Sequence, residues 1–458
     1  MTEIAPPISN SVTDTVYRPN YILNNQISFL WTPKQTLAEL LYVPGAGLKF
    51  AVEEGGQGVH IRDQVKDFKP LNWIEPYARI GAVRLPSGVA PYGDVDTLAR
   101  QVRAFINRYF ECDEVFESVA VLFVLHTWLY ERFNAVPYLR FLGMSGTGKT
   151  RGSETIASLC YRPLVLGGSI TPAALFRISE CLGGTMFLDE ADFESSQIGS
   201  DVAKILNDGY RKGIPVTRMQ PTSNGDYIPR LYEIFGPKIL NGRRPFKDDA
   251  TESRCLSHTP RSLARNDIPR QLPESFEAEA RAIRNMLLRW RFDMLNDFTP
   301  KEIHLEGLRP RTSEILMPLI CMAVQLSEPR YMDHLLSFGS VVDLQAMEER
   351  KTTVEAILLQ AYAKIGQHRD PTCKELATEA VSTGSHDDPK IGHWLSPKVA
   401  GKILRSMGFK TRHTNRGSVA SVDAVTFAAL GKRFGIVTGA APWSLASGDR
   451  GEEEVIAA

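Results

Sequence analysis

The hydrophobic positions of this chain follow two different periods, and the changes between them predict its secondary structure. Short apolar runs at 138–142, 164–166, 184–188 and 237–241 are typical of buried strands. Helical periodicity separates these runs, for example over 151–160, which follows the first run after a glycine-rich break. Strands that alternate with helices in this way favour an α/β fold built on a parallel sheet.

The residues before this alternation have a different pattern. Residues 1–20 are polar and aperiodic, which predicts a disordered tail, and the short apolar alternations of 21–92 predict a small β-containing module to which we assign no chemistry. From Asp94 onwards, apolar residues recur at three- and four-residue spacing, so 93–137 is predicted to be a helical collar packed on the core. Within the collar, 115–133 is predicted to form one buried helix.

The C-terminal part of the chain is predicted to be mainly helical. Residues 266–350 are predicted to form a helical lid that begins with a long amphipathic helix at 273–295. From 351 to 437 the pattern is three helices, a strand, a turn and a strand, which resembles a winged-helix domain. The small and acidic end, 438–458, is predicted to be disordered.

The composition of the chain mainly argues against certain classes of protein. The sequence has 53 Lys and Arg against 53 Asp and Glu, so no global charge indicates a nucleic-acid partner. The six cysteines lie far apart without a C-x-x-C pair, which argues against a zinc site and a disulfide framework and favours a reducing cytoplasm. The longest apolar run, 119–125, is too short to cross a bilayer, so membrane insertion is not expected.

The segment 143–150 has the Walker A pattern of a phosphate-binding loop. Gly146 and Gly148 let the backbone turn tightly and bring successive amide groups around phosphate oxygens. Lys149 can reach the β- and γ-phosphates, while Thr150 supplies a hydroxyl for Mg²⁺ and opens a helix whose N-terminus favours the anion. The predicted cofactors are therefore ATP and Mg²⁺. The predicted nucleotide-binding residues are Gly143, Ser145, Gly146, Thr147, Gly148, Lys149 and Thr150.

The apolar strand that ends in Asp189 and Glu190 has the form of a Walker B strand. Such a strand end is often only a solvated terminus, but its position 40 residues after Lys149 favours a catalytic role. Asp189 is predicted to hold Mg²⁺ through water, at the same ion as the Thr150 hydroxyl, and Glu190 is predicted to polarise the water that attacks the γ-phosphate.

Two strand-like arms, 214–219 and 227–235, flank an Asn-Gly pair, which is a strong signal for a β-hairpin. Between residues 211 and 247 there are eight basic residues and two acidic residues. One interpretation is an arm that contacts a nucleic-acid backbone, and the other is a solvated hairpin that carries arginines. The predicted nucleic-acid contacts here are Lys212, Arg218 and Arg230.

A second basic surface lies in the predicted winged helix. Lys398, Lys402 and Arg405 have four- and three-residue spacing, so they share one face of a helix that begins after Ser396. Such a face can lie along a groove of DNA, although winged helices also serve as protein-interaction modules. The predicted contacts are Lys398, Lys402, Arg405, Arg412 and Arg416.

Taken together, the motifs between residues 138 and 257 resemble the AAA+ family. The resemblance is to its helicase branch, with the viral superfamily-three helicases and the minichromosome-maintenance ATPases, and it rests on GMSGTGKT, TMFLDE, the hairpin, KILN and ESRC. In that branch an asparagine after the fourth core strand senses the γ-phosphate, and an arginine in a Ser-Arg pair enters the ATP site of the neighbouring subunit. The resemblance assigns these two roles to Asn241 and Arg254.

The fold that this resemblance implies is α/β, an AAA+ P-loop core with a helical collar and lid, joined to the C-terminal winged-helix domain. The implied function is a hexameric, ring-forming DNA helicase or translocase in the replication of a phage, plasmid or mobile element, where a primase is a candidate partner. The long helix at 273–295 carries four arginines, of which one could touch the nucleotide, while a solvated face is the expected role of most of them. The sequence does not select among Arg281, Arg284, Arg289 and Arg291.

One departure from the family pattern concerns the tip of the hairpin. The viral enzymes carry basic residues there, whereas the tip at 223–226 has none and the arginines lie on the stems. The ATPase assignment is unaffected, but strand separation is left open. The alternative is a nucleotide-gated DNA-binding switch or loader with slow hydrolysis. A protein-remodelling ATPase would need an aromatic pore loop that we do not find in the sequence.

Overall fold

A computed structural model describes most of the chain, in two compact units that divide after Ser340. The described residues are 25–189, 197–222, 224–246, 248–261, 265–303, 305–366, 369–384 and 391–436. Glu190, Ser223 and Lys247 lie outside these ranges, as do the two segments predicted to be disordered tails. No helix among the described residues has the length and apolar character that crossing a membrane requires.

The first unit begins with an antiparallel sheet in which the strand order is β2-β3-β4-β5. Leu40 on β3 and Phe50 on β4 are buried and lie directly opposite each other, so they form the centre of the core of this sheet. The elements are β1 (Gln26–Ile27), β2 (Phe29–Thr32), β3 (Thr36–Val43), β4 (Gly47–Glu54), β5 (Val59–Arg62), β6 (Lys69–Pro70) and α1 (Glu75–Arg79).

Two helices connect this sheet to the rest of the unit, α2 (Val95–Tyr109) and α3 (Glu114–Thr127). An aspartate precedes each helix and accepts a hydrogen bond from a backbone amide of its first turn, which fixes where the helix begins. The prediction of one helix over 115–133 is wrong at its C-terminal end, because α3 ends at Thr127. After α3, the Leu129 amide donates to the His126 carbonyl in a tighter turn, and a separate 3₁₀ turn follows at Tyr130–Arg132.

The centre of the first unit is a parallel sheet with the strand order β13-β7-β12-β9-β8, and the predicted α/β class with a parallel sheet is therefore confirmed. Because every strand runs in the same direction, the carboxyl ends of all strands lie along one edge. The elements are β7 (Tyr138–Leu142), α4 (Lys149–Ala157), β8 (Leu164–Leu166), α5 (Pro172–Leu182), β9 (Met186–Leu188), α6 (Gln197–Asp208), β10 (Val216–Pro221), β11 (Tyr227–Tyr232), β12 (Lys238–Gly242), α7 (Asp249–Glu252) and β13 (Cys255–His258).

The hairpin is present, but its strands differ from the predicted arms. The first arm is shifted towards the tip, and the second ends at Tyr232 instead of at 235. The reason is that Gly236 turns the chain back into the main sheet, where its amide donates to the carbonyl of Gly209 at 3.2 Å.

The last helices of the first unit include α8 (Ser275–Met294) and α9 (Pro310–Ala323), and α10 (Arg330–Lys351) runs across the division. The predicted apolar stripe of α8 is confirmed, because each of its members is buried. These members are Phe276, Ala280, Ile283, Leu287 and Trp290.

A buried group of charges lies between the N-terminal sheet, the central sheet and α8. Glu39 on β3 pairs with Arg162, accepts from Arg291 Nε at 2.7 Å and accepts from the Tyr161 hydroxyl at 2.8 Å. Burial opposes ionisation of Glu39, but the two guanidinium groups hold its pKa below the usual value. Arg291 also donates to Glu131, at 2.7 Å. We call Glu39, Glu131, Arg162 and Arg291 the buried ion cluster.

The second unit contains the predicted succession of helices followed by a two-stranded hairpin. The elements are α11 (Val354–Ile365), α12 (Cys373–Gly384), α13 (Ile391–Trp394), α14 (Pro397–Ser406), β14 (Lys410–Thr414), β15 (Gly417–Ser421) and α15 (Ala424–Phe434). Its core includes Tyr362, Leu404 and Phe409, each almost fully buried. The sequence pattern predicted neither α13 nor α15, and the winged-helix assignment stays a prediction.

Candidate functional site

The Walker A loop joins the carboxyl end of β7 to the start of α4. Gly143, Gly146 and Gly148 all have positive φ angles, of 141°, 84° and 92°. A Cβ on Gly143 would lie 3.0 Å from the hydroxyl oxygen of Thr147, whereas Gly146 and Gly148 are needed for their backbone conformation alone. The local sequence therefore fixes a tight loop that ends where the amide groups of a helix N-terminus are available to an anion.

Lys149 is the first residue of α4, and its side chain folds over the loop that precedes it. Its ammonium group donates to the carbonyl oxygens of Gly143 at 2.5 Å and Met144 at 2.7 Å. The Thr147 hydroxyl donates to the same Met144 carbonyl at 2.9 Å. Ser145 and Thr150 are exposed, so the hydroxyl proposed for the metal is accessible.

A glycine that the sequence analysis did not select sets the position of α4. A Cβ on Gly152 would lie 2.6 Å from the ring of Phe110 and 2.8 Å from that of Phe141. Only glycine lets α4 pack this closely on β7 and on the end of α2. The signal in the sequence was a glycine inside a helical segment, which costs helix stability and therefore often has a packing reason.

The structure brings Asp189 and Asn241 together at the carboxyl edge of the sheet. Asn241 lies near the carboxyl end of β12, which is the strand between β7, which leads into the loop, and β9, which leads to Asp189. The Asn241 amide donates to Asp189 Oδ1 at 2.8 Å and to Ser153 Oγ on α4 at 2.9 Å. The side-chain oxygen of Asn241, Oδ1, is buried and has no hydrogen-bond partner among the residues that the structure describes. Ser153 is therefore a site residue that the motifs did not reveal.

The oxygen atoms at this edge fit a magnesium ion. Mg²⁺ prefers carboxylate, hydroxyl and phosphate oxygens and keeps several waters, so one carboxylate and one hydroxyl from the protein are sufficient. Asp189 and Thr150 are the residues that would supply this pair, and the Asn241 side chain donates to Asp189. Across the described ranges there is no cluster of His, Cys, Asp and Glu that would bind a metal without a phosphate.

Arg254 lies at the opposite edge of the sheet from the Walker A loop. It precedes β13, and its carbonyl accepts from the amide of Tyr138, the first residue of β7, at 2.9 Å. Five residues of strand separate this point from Gly143, which corresponds to about 16 Å. The guanidinium donates to Asn207 Oδ1 at 2.8 Å and lies 4.3 Å from the ring centre of Tyr210.

The four arginines of α8 differ sharply in their surroundings. Arg284 is buried and donates to the Ser158 carbonyl at 2.6 Å, while Arg291 belongs to the buried ion cluster. Arg289 pairs with Asp293 one turn further along α8. These three arginines therefore have partners within the protein.

The pairing of β10 with β11 determines which side chains of the hairpin share a face. Arg218 lies opposite Arg230, two residues from the buried pair Val216 and Tyr232. Side chains alternate between the faces of a strand, so both arginines are on the face that continues this buried pair. The guanidinium of Arg218 lies 5.3 Å from the ring centre of Phe176 on α5.

Two of the three predicted nucleic-acid contacts on the hairpin bind groups of the same unit. Arg230 lies 3.4 Å from Glu180 Oε2 on α5, and Lys212 donates to the backbone carbonyl of Glu131 at 2.8 Å. Burial raises the pKa of Glu180 to about 7, although Arg230 opposes the shift. Desolvation also lowers the pKa of Lys212.

The other face of the hairpin is apolar and exposed. Met219 is 58% exposed, Tyr227 65% and Leu231 55%. The register places all three on the face opposite the arginines, together with Pro221 and Pro229. None of these five residues is charged, so this face cannot neutralise phosphates.

In the second unit, the predicted basic face of α14 is accessible. Lys398, Lys402 and Arg405 are exposed on this helix, and Arg405 donates to the hydroxyl of Thr411 at 3.1 Å. Lys398 and Lys402 have no carboxylate partner in the described part of the second unit. These two ammonium groups are therefore available to an external anion.

The two predicted contacts on the neighbouring hairpin both lie close to Asp370. Arg412 lies 3.4 Å from Asp370 Oδ2, and 71% of its side chain is still exposed. Arg416 donates to the Asp370 carbonyl at 3.1 Å. The pair is therefore partly held by the protein, in contrast to the lysines of α14.

Comparison with known proteins gives structural similarities at low identity. No family model matches the sequence, and neither does any curated protein. The C-terminal region of NrS-1 is 12% identical, with 84% of this chain and 96% of that chain covered and a TM-score of 0.36.

Two further solved structures are similar over much of the chain. SCCmec type IV Cch, described as an active helicase, is 10% identical over 90% of this chain and 89% of that one, with a TM-score of 0.33. A mutant of Thermotoga maritima RuvB is 14% identical over 70% and 94%, with a TM-score of 0.22. Such low identities and TM-scores carry no argument about function, which therefore depends on the residues of the site.

Proposed function

We propose that this chain is an ATP-hydrolysing, ring-forming enzyme that moves on DNA. The observation that carries the proposal is the position of Asn241 on the strand between the Walker A strand and the strand that ends in Asp189. Its amide binds Asp189 on one side and Ser153 of the Walker A helix on the other. A side chain in this position contacts both groups that hold a triphosphate, so it can report whether the γ-phosphate is present.

The proposed reaction is an in-line attack of water on the γ-phosphorus. A new P–O bond forms to the water oxygen while the bond to the β-phosphate oxygen breaks, which yields ADP and phosphate. Lys149 balances the charge of the transferred group, and Glu190 orients the water and accepts its proton. Thr150 and Asp189 hold Mg²⁺, which when bound supplies further positive charge against the phosphate oxygens.

A ring is proposed because Arg254 lies at the far edge of the sheet from the loop of its own subunit. An arginine there can enter a neighbour's ATP site more readily than its own, and a hexamer is the proposed number. Lys398, Lys402, Arg405, Arg412 and Arg416 are the proposed DNA contacts of the second unit. The resemblance supports replication of a phage, plasmid or mobile element as the setting, with a primase as a candidate partner.

The first experiment is steady-state ATP hydrolysis over a range of protein concentrations, with and without single- and double-stranded DNA. We expect specific activity to rise with protein concentration and to be stimulated by DNA. The Lys149→Ala variant is the blank and should lose about a hundredfold or more of the activity, because it lacks the ammonium group that stabilises the transferred phosphoryl group. Hydrolysis that is slow and indifferent to DNA would contradict the proposal.

A mixing experiment tests the shared site. Subunits with Lys149→Ala have inactive sites of their own but an intact Arg254, so they should partly restore hydrolysis to Arg254→Ala subunits. Ser253→Ala is the matched control, because Ser253 is the exposed neighbour of Arg254 and should not need such restoration. No restoration under conditions where subunits exchange would exclude the assignment of Arg254 to a neighbour's site.

The second candidate function is a nucleotide-gated switch or loader that binds DNA without separating its strands. It is favoured by the uncharged exposed face of the hairpin and by its lack of basic residues at the tip. Unwinding of a forked DNA substrate distinguishes the two functions. A motor should displace the strand in the presence of ATP, and a switch should bind the fork without displacement.

A further inference from the structure

Lys238, the first residue of β12, is fully buried and directly precedes the apolar residues Ile239 and Leu240. Its ammonium group donates to three backbone carbonyls: Gly236 at 2.8 Å, and Gly209 and Ile234 at 3.1 Å each. An ammonium group has three hydrogens, so these carbonyls satisfy it completely. Burial lowers the pKa of Lys238 to about 7, and the ring of Tyr138 lies 4.7 Å away.

The three carbonyls belong to the two ends of the hairpin segment. Gly209 directly follows α6 and precedes the hairpin, whereas Ile234 and Gly236 follow β11. The Gly236 amide also donates to the Gly209 carbonyl, at 3.2 Å. We call these three residues the hairpin neck, and Lys238 is the side chain that joins its two sides.

The opposite end of the same short strand carries Asn241. Asn241 is three positions after Lys238, which is a distance of about 10 Å along a strand. Ile239 and Leu240 between them are fully buried, with no exposure to solvent. A displacement at one end of so tightly packed a strand is transmitted to the other end, because close-packed interiors deform little.

We propose that Lys238 is a positioning residue that couples the γ-phosphate sensor Asn241 to the hairpin through β12. This inference rests on the proposed function, because it assigns the hairpin a movement that follows the nucleotide state. Without Lys238 the hairpin neck would keep its chain connections but lose the cation that holds both sides to the sensor strand. DNA-stimulated hydrolysis would then be lost while hydrolysis without DNA continued.

The variant that tests this is Lys238→Met, which keeps most of the side-chain length and removes the three donated hydrogens. We expect basal ATP hydrolysis to stay within about twofold, and stimulation by DNA to fall about fivefold or more, the range of typical coupling between sites. Gly209→Ala is an independent second variant. Its Cβ would lie 2.8 Å from Lys238 Nζ, so it should disturb the same contact while Lys238 is intact.

The control is Ile27→Val, which removes one buried methyl group in β1, outside both β12 and the hairpin neck. It should lower the melting temperature and leave the stimulation ratio unchanged, which separates coupling from general stability. If Lys238→Met and Gly209→Ala respond to DNA as the wild type does, the inference is wrong. If the wild type itself is not stimulated by DNA, the proposed function fails instead.

Hydrogen–deuterium exchange of the wild type covers the case in which neither variant folds. A non-hydrolysable ATP analogue should change the exchange of backbone amides in β10, β11 and the hairpin neck. The analogue binds at the opposite edge of the sheet, so binding alone does not cover these amides. Unchanged exchange in these segments, together with protection of the Walker A loop, would overturn the coupling.

Discussion

On the hairpin of the first unit, most of the predicted DNA-binding charge is held by the protein itself, whereas on α14 of the second unit it faces solvent. Arg230 lies against Glu180 and Lys212 against the Glu131 carbonyl. Lys398 and Lys402 are exposed and lie on one helix face. Both surfaces have a similar excess of basic residues in the sequence. The comparison teaches that an excess of charge becomes a binding surface only where the fold leaves it without internal partners.

The largest effect should come from removing the basic face of α14. In the Lys398→Ala/Lys402→Ala/Arg405→Ala variant, we expect DNA affinity at low salt to fall about tenfold or more, with a reduction of up to about 3 in the salt slope. The reason is that a protein with fewer phosphate contacts releases fewer counterions from the DNA when it binds. Fluorescence anisotropy with a labelled duplex at several salt concentrations measures both quantities.

The matched variant on the first unit is Lys212→Ala/Arg218→Ala/Arg230→Ala, which removes the same number of charges. Its loss of affinity should be clearly smaller, because two of these side chains already have partners. An equal loss in the two triple variants would break the comparison and make the hairpin a DNA-binding surface as well.

A smaller effect should appear in the pH dependence of the free energy of unfolding, through a carboxyl group that contacts the hairpin. Glu180 faces Arg230 and Glu233, and burial raises its pKa to about 7 from an ordinary value of 4.5. The folded protein therefore holds a proton that the unfolded chain releases, so this stabilisation is complete below pH 4.5 and is lost as pH rises through 7. Between pH 5 and 8 the free energy of unfolding should fall by about 2 kcal/mol from this group.

Chemical denaturation at pH 5 and pH 8 measures the change, and Glu180→Gln should remove most of it. The control is Glu233→Gln, which removes a nearby carboxylate and leaves Glu180 in place. A Glu180→Gln variant that retains the full pH dependence would show that other groups cause it.

The smallest effect concerns a helix start that supports the second unit without contributing to its basic face. Glu375 accepts from the Thr372 amide at 2.7 Å, while the Glu375 amide donates to the Thr372 hydroxyl at 3.2 Å, which is a capping box. Hydrogen bonding to Arg369 is the main cause that lowers the pKa of Glu375 to about 2. This stabilisation is present above pH 4.5 and is lost as pH falls through 2.

Glu375→Gln should therefore cost less than about 1 kcal/mol near neutral pH, because the side chain is partly exposed and solvent screens the pair. DNA affinity should not change. Thermal unfolding and anisotropy together check this, and Glu379→Gln on the same helix is the control. Weaker DNA binding by Glu375→Gln would mean that the basic face depends on the capping box.

The sequence predicted the parts of the fold that depend on local pattern. The Walker A loop, the strands around it and the apolar stripe of α8 all follow from spacing, since each is determined by residues close together in the chain. The sequence also indicated which residues end the strands, but not that β12 lies between β7 and β9. Strand order depends on contacts between distant segments, so the meeting of Asn241 with Ser153 could not be derived from it.

The unpredicted features involve side chains whose partners are remote in sequence. Lys238 sits in an apolar run, and nothing local indicates that three carbonyls surround its ammonium group. Arg284 and Arg291 look like the solvated side of an amphipathic helix until their buried partners, such as Glu39, are placed beside them. The sequence also did not show which hairpin residues share a face. A shift of the strand pairing by one residue would move every side chain of a strand to the opposite face.

The buried ion cluster has a consequence for how the chain can be divided. Glu39 comes from the N-terminal sheet, yet it neutralises Arg162, two residues before β8, and Arg291 of α8. In a shortened chain that began after residue 80, Arg291 would still pair with Glu131, but Arg162 would lose its carboxylate partner. Removing one partner of a buried ion pair costs about 3–5 kcal/mol. The N-terminal sheet therefore supplies an internal counterion to the rest of the first unit, and its removal would leave a buried charge unpaired.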